Sequence, residues 1–374
     1  MKKICWITPD CYIDHDIKIV PELSRIYEIQ WYVLFSQNDN FGYKNLLNQI
    51  DSSVNLENIQ IMNRLRSVRT LFQYIKLFKK IKKNDPDIIY INGFLGMPYF
   101  LPLALVYFDK RKLYFAAHNA QPLKGGYYES YVRLYYLFVF NNIKNFLVFS
   151  KNQARKLSNK YRNKNVFYIS LTLKDFGESK CIPDNKYVNF LFFGFIRDYK
   201  RVDLLINAAC NVYEQTKMKF IVHIAGSCEH WDQYQKLIRY PFLFDLQIRP
   251  ILNSEIPDLF CSSHYVVFPY QDCTQSGVLA VANRYTIPSI ASNIDSFKEF
   301  IEDKKTGYLF ESESLISLEM TLKYIINNHE KEYSNIKENL RKMVSRNYSL
   351  PEIVKNYVDL IENANFKDEM RKVQ

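Results

Sequence analysis

Glycine is scarce in this chain, with 10 in 374 residues, so each glycine placed at a corner carries more weight than usual. No G-x-x-x-x-G-K-[ST] is present, which argues against a P-loop nucleotide site. The first strand-like segment runs into "TPDCYIDHD" without a glycine, so the dinucleotide Rossmann fingerprint is also missing. The 7 cysteines (Cys5, Cys11, Cys181, Cys210, Cys228, Cys261 and Cys273) are odd in number and form no C-x-x-C pair. That speaks against a disulfide framework or a structural zinc, and for a reducing compartment. No H-E-x-x-H and no Cys/His cluster suggests zinc. Long apolar runs are absent as well. The longest, "MPYFLPLALVYF" at 97–108, is too short to span a bilayer. The opening "MKKICWITPDCYIDHD" shares only its two lysines with a signal peptide. The chain is expected to be soluble, or peripherally bound to a membrane.

What is present describes a globular α/β protein. Hydrophobic residues make up 48% and charged ones 24%, enough for a full core. Aromatics reach 16%, with 29 Tyr and 27 Phe. The length predicts two domains or one large one. The net charge of +11 is unevenly shared. Residues 1–175 hold 26 Lys+Arg against 13 Asp+Glu, and the remainder 24 against 26. A basic half beside a near-neutral one points to a polyanionic partner, either nucleic acid or an anionic membrane face.

Along the chain, strands alternate with helices. "KKICWIT" (2–8), "YEIQWYVLF" (27–35), "PDIIYING" (86–93), "KLYFAAHN" (112–119) and "NFLVFS" (145–150) read as strands. "SVRTLFQYIKLFKKIKKND" (67–85) reads as a helix capped by Ser67, with Val68, Leu71, Phe72, Ile75 and Phe78 on its apolar face. Ser150 can cap "KNQARKLSNKY", and "QPLKGG" after 119 reads as a loop. The pattern lapses over 170–189, a linker, and restarts. "FLFFG", "KFIVHIAG" (219–226), "HYVVFPY" (264–270) and "IPSIAS" (287–292) are strands. Residues 202–214 and 277–285 are helices. This predicts two doubly wound parallel sheets, with a ligand cleft between their carboxyl ends.

Two corners of the second half favour anions. In "FLFFGFIRDYKRVDLLINAA" (190–209), an apolar strand ends at a glycine, and Arg197 and Lys200 follow before a helical pattern resumes. In "FPYQDCTQSGVLAVANRYTIPSIAS" (268–292), Ser276 opens a helix with Gly277 behind it. The N–H groups of Ser276, Gly277 and Val278 would point unpaired from the helix N-terminus, where Gly277 admits close approach. Two such corners of one sheet could hold one diphosphate.

These stretches, with "VHIAGS", "IPSIASNIDSFKEFIEDKKTGYLF" and "AAHNAQP", resemble the signatures of the family 4 glycosyltransferases. The resemblance covers most of the chain and is strongest over 190–310. It implies a GT-B fold: two Rossmann-like doubly wound domains facing a central cleft. The expected boundaries are 1–175 and 176–349, with a C-terminal helix at about 350–374 packing back on the first domain. It implies a retaining, metal-independent enzyme that moves a sugar from a nucleotide-sugar donor (UDP-, GDP- or ADP-linked) to a lipid-linked or polysaccharide acceptor. No cofactor and no metal are expected. By position, Lys200 matches the family's diphosphate-binding lysine. The usual arginine after the glycine is Phe195 here, and Arg197, two places on, takes the role. His118 matches the histidine that faces the donor sugar. Gln275, Ser276, Gly277 and Val278 match the donor-phosphate loop. The family's two glutamates, eight residues apart, fall on Thr274 and Ala282, so both acids are missing. Asp272 then stands in for the first, and Asn283 is the nearest polar candidate for the ribose. Glu299 matches a recurrent, structural glutamate.

In this reading the catalytic set is His118, Asp272, Arg197 and Lys200. Cations and helix N–H groups placed where charge develops on the leaving nucleoside diphosphate favour bond breaking. The basic half, and above all the helix at 67–83, would meet an anionic membrane. That places the protein in the cytoplasm, peripheral at the inner face of the cell membrane. Three alternatives stand beside it. A nucleic-acid binder has no RNP, KH, zinc-finger or helix-turn-helix signature, and no nucleic-acid partner is expected. A catalytically weak scaffold of a glycan-assembly complex would explain the missing glutamates. A sugar-nucleotide 2-epimerase lacks support from "TQSG".

Overall fold

The computed structural model describes residues 1–35, 47, 50–61, 67–93, 99–118, 129–184, 186–273 and 276–363. The chain divides into two compact units, one of Met1–Thr172 with Tyr348–Gln374 and one of Leu173–Asn347.

The first unit is built on β1 (Lys3–Pro9), β2 (Glu28–Phe35), β3 (Asn55–Gln60), β4 (Ile88–Asn92), β5 (Leu113–Ala117), β6 (Asn145–Val148) and β7 (Asn165–Tyr168). They form one sheet in the order β3-β2-β1-β4-β5-β6-β7, every pairing parallel. β4 and β5 are buried along their whole length, because a parallel sheet carries helices on both faces. Cys5, Ile7, Ile89, Ile91, Leu113 and Phe115 pack on one side with the helices Val68–Asn84 and Phe100–Tyr107. Ile4, Trp6, Tyr90 and Tyr114 pack on the other with the helix Ile13–Ser24. The C-terminal helix Leu350–Glu362 also packs on that side, through Ile353, Tyr357, Leu360 and Ile361.

The second unit repeats the plan with β8 (Asn189–Phe193), β9 (Ile221–Ala225), β10 (Phe244–Gln247), β11 (Tyr265–Phe268), β12 (Ser289–Ser292) and β13 (Gly307–Phe310). Its sheet runs β10-β9-β8-β11-β12-β13, again all parallel. The expected helix at 202–214 spans Val202–Thr216 and buries Leu204, Leu205, Ala208, Ala209 and Val212, the stripe that the apolar spacing gives. No helix or strand lies between Tyr168 and Asn189 among the described residues. In each sheet the strand order reverses once, between β1 and β4 and between β8 and β11. Crevices outside the carboxyl ends of strands at such points are where open α/β sheets take ligands.

One expected face differs. The helix over 67–83 forms as Val68–Asn84, and Ser67 caps it by accepting from the Arg69 N–H. However, the buried stripe is Thr70, Tyr74, Leu77, Phe78 and Ile81, while Val68 and Phe72 are 60% and 64% exposed. Two apolar stripes overlap on this helix, and Tyr74 and Phe78 win by packing edge-on against Phe100. No helix among the described residues is long and apolar enough to cross a membrane. The loop over "QPLKGG" lies outside the described residues.

Candidate active site

In the second unit, β8 delivers the chain to Gly194 at φ +101°, a conformation that side chains rarely adopt. A Cβ there would lie 3.3 Å from Lys200 Nζ and 3.4 Å from Val278 Cγ2. The glycine corner, the lysine and the helix Gly277–Arg284 therefore meet at one point. Gly226, at φ +146°, ends β9 beside it, and a Cβ there would fall 2.2 Å from the Gly194 carbonyl oxygen. Two backbones close this corner by direct approach.

Lys200 comes from a single 3-10 turn, Asp198–Lys200, and is only 7% exposed. Among the described residues it has no carboxylate partner. Its amine lies over the Tyr270 ring at 5.4 Å from the centroid. Burial lowers its pKa to about 8; the nearby Cys273 pushes the value up and Arg197 pushes it down. A buried ammonium held beside a ring and a helix N-terminus, without an anion, is unfavourable as it stands. An arriving phosphate would relieve it.

Arg197 is exposed and its guanidinium stacks on Phe195 at 4.7 Å. Phe195, where the resemblance expects arginine, is thus a platform for the arginine that replaces it. Ser276 is the helix N-cap; its Oγ accepts from the Leu279 N–H at 3.2 Å. Gly277 is exposed, and a Cβ there would meet only Lys174, Cε at 3.6 Å and Nζ at 3.8 Å. Sterics inside the chain do not require glycine at 277. Lys174 is a cation of this corner that the sequence reading missed. It lies in the stretch without helix or strand, where only its proximity in sequence to Asp175 was visible.

Asp272 is exposed, just after Gln271, whose N–H donates to the Tyr199 carbonyl at 2.8 Å. Ala282 is a fully buried core residue and Asn283 is 3% exposed. Both sit in the last turns of the helix, about 7.5–9 Å along its axis from Gly277. Glu299 is half-buried at the C-terminus of the helix Asp295–Lys298. Thr274 and Gln275 lie outside the described residues.

His118 belongs to the first unit, directly after β5, and is 8% exposed. Its ring stacks face to face on Tyr12, with centroids 3.6 Å apart and planes 2° from parallel, and it tilts against Phe149 at 4.5 Å. Its Nε2 is 2.7 Å from Asn92 Oδ1. Asn92 ends β4, and its Nδ2 donates to Asp16 Oδ2 at 2.8 Å. That oxygen also accepts from Trp6 Nε1 at 2.9 Å and Thr8 Oγ1 at 2.5 Å. Tyr12 and Asp16 follow β1, so this buried network occupies the switch point of the first sheet. Sequence reading found His118 but not Asp16, Asn92 or Tyr12.

Residues 174–343 match the family model described as glycosyl transferases group 1. An uncharacterized 41.2 kDa protein in the cps region of Klebsiella pneumoniae is 28% identical over 178 residues, 47% of this chain. The chain spans about half the length of that relative, 46%. Among solved structures, a glycosyltransferase from Rickettsia africae is similar at a TM-score of 0.75 and 14% identity, over 98% of this chain and 99% of that one. Anabaena HepE, in complex with UDP-glucose, is similar at 0.72 and 13%, over 97% and 100%. Sucrose-phosphate synthase from Thermosynechococcus elongatus is similar at 0.74 and 12%, over 97% and 99%. At these identities the likeness fixes the fold: two parallel-sheet Rossmann-like units of the GT-B type. The match of the second unit supports a group 1 glycosyltransferase.

Proposed function

We propose that the chain moves a sugar from a nucleotide-sugar donor, linked to UDP, GDP or ADP, onto a lipid-linked or polysaccharide acceptor of a surface-glycan pathway. The observation that carries this is Lys200, a buried amine without a carboxylate partner among the described residues, set against Gly194 and the N-terminus of the helix Gly277–Arg284. As the glycosidic bond breaks, negative charge grows on the departing diphosphate. Lys200, Arg197 and the N–H groups at Gly277 and Val278 stabilise that charge. His118 faces the donor sugar, and Asp272 and Asn283 serve the sugar and ribose. The acceptor hydroxyl attacks from the face that the leaving group departs, which retains the anomeric configuration, and the β-phosphate takes its proton. No metal is needed to neutralise the leaving group. The relatives add context: HepE is described with UDP and with UDP-glucose, and the Klebsiella relative by its cps region.

The membrane part of the proposal rests on the helix Val68–Asn84. Val68 and Phe72 share one exposed face with Lys76, Lys79 and Lys83. An apolar pair beside a row of lysines suits the surface of an anionic bilayer, at the inner face of the cell membrane. A catalytically weak scaffold is the second reading, favoured by the core position of Ala282 where an acid is usual. Screening UDP-, GDP-, ADP- and CMP-sugars by thermal shift separates the two and names the donor. A ligand bound only by the folded state raises its stability. A single responder that is turned over supports the transferase; no responder at millimolar concentration overturns it.

A further inference from the structure

We infer that Asp16 and Asn92 are positioning residues that fix the tautomer of His118 through a buried hydrogen-bond relay. The inference rests on the sugar-facing role proposed for His118. An ionised carboxylate has no hydrogen to give. Asp16 Oδ2 therefore accepts from all three of its neighbours, Trp6 Nε1, Thr8 Oγ1 and Asn92 Nδ2. This turns the NH2 end of the Asn92 amide toward Asp16. The Asn92 Oδ1 must then face His118 Nε2, 2.7 Å away. An amide oxygen only accepts, so Nε2 carries the hydrogen. Neutral His118 is held with its lone pair on Nδ1.

The relay cannot run in reverse. Thr8 gives its hydroxyl hydrogen to Asp16, which as a carboxylate only accepts, and its own oxygen accepts from Trp31 Nε1 at 2.9 Å. Flipping the Asn92 amide would set oxygen against oxygen at Asp16 and take one of three donors from that buried carboxylate. The ring plane is fixed as well. Tyr12 lies flat on His118 and also covers Gly93, where a Cβ would fall 2.3 Å from the Tyr12 ring. The Asp16 Oδ1 oxygen is buried with no hydrogen bond among the described residues. Stability alone would not retain a half-satisfied buried carboxylate. Its pKa is raised to about 6 by burial, against the three hydrogen bonds that lower it. At neutral pH it is the acceptor that the relay needs.

The test is the tautomer itself, read from long-range 1H–15N spectra of the full chain labelled at histidine nitrogen, at pH 8. His118→Gln identifies the signals. The expected result is a protonated Nε2 and an unprotonated Nδ1 in the wild type. In Asp16→Asn the amide of Asn92 is free to turn, and the His118 signals should move toward the other tautomer. Asn92→Ser, a second route to the same loss, covers the case in which Asp16→Asn does not fold. Sugar transfer should fall between about tenfold and a hundredfold in either variant, with UDP affinity kept within about twofold. A wild type protonated on Nδ1, or variants with unchanged His118 signals, overturns the relay. If the relay is present but His118→Gln transfers sugar as well as the wild type, the role given to His118 is what fails.

Discussion

Replacing Lys200 by methionine separates its two effects. In the ligand-free protein, burial lowers the Lys200 pKa from 10.5 to about 8. At ~1.4 kcal/mol for each pH unit, holding that charge at pH 7 costs on the order of 3 kcal/mol. The unfolded chain binds the proton more tightly than the native one between pH 8 and 10.5. This part of stability is therefore lowest below pH 8 and recovers as pH rises toward 10.5. Lys200→Met nearly keeps the length, one heavy atom shorter, and removes the charge, so the empty protein should become more stable by up to ~3 kcal/mol at pH 7. Binding should move the other way. A charge-assisted phosphate contact is worth about 1.5–3 kcal/mol, so nucleoside diphosphate affinity should fall between about tenfold and a hundredfold. A bound diphosphate also raises the lysine pKa again, so wild-type affinity should decline as pH climbs through about 8. The variant should lack that decline. Calorimetric titration with UDP and GDP at pH 7 and pH 9, with urea unfolding of the empty protein, reads all of this. A variant that binds like the wild type and shows the same pH profile would falsify the placement of the donor phosphates.

Four further outcomes are expected. Gly194→Ala should cost about 1–3 kcal/mol of stability in urea, because its φ of +101° strains any side chain. Gly277→Ala should leave stability within about 0.5 kcal/mol and weaken nucleotide binding; equal affinity would show that no ligand approaches the backbone there. Buried His15 and His264 have pKa values lowered to about 4, chiefly by burial, so the unfolded chain takes up their protons first. Urea midpoints should fall as pH drops from 6.5 toward 4, less steeply in His264→Gln, and a flat profile would contradict their neutral burial. Anionic vesicles, not neutral ones, should bind the protein at low salt. Changing Lys76, Lys79 and Lys83 to Gln should remove up to ~3 kcal/mol at about 1 kcal/mol each, and salt-insensitive binding would refute that role.

The fold class was legible because its signals are local. An apolar run, a glycine, a cation and a helical stripe follow one another within 190–209, and the structure keeps that order from β8 to Lys200. The face of the helix Val68–Asn84 was not legible. Thr70, a polar residue, lies on its buried stripe, and only the aromatic packing against Phe100 selects that stripe over the one with Val68 and Phe72. The His118 relay was illegible for a stronger reason. Asp16, Asn92 and His118 are far apart in sequence and meet because β1 pairs with β4 and β4 with β5. In "YIDHD" the aspartate looks like a solvated turn. Lys174 was hidden the same way, by tertiary approach to Gly277.

Charge distribution along the chain also misleads about where charge acts. The half with a surplus of lysine and arginine carries at its switch point a buried carboxylate, Asp16, whose three donors are all neutral. The near-neutral half carries the buried cation, Lys200, with Arg197 near it and Lys174 beside Gly277. Surplus charge spread over solvated surface is screened within about 10 Å at ordinary salt. A single buried charge is screened much less and acts where it is placed. In the proposed membrane role, the lysines of the helix Val68–Asn84 would therefore bear on encounter with a surface, a salt-dependent effect. In the proposed reaction, Asp16 and Lys200 would bear on orientation and on leaving-group charge, which added salt should barely change.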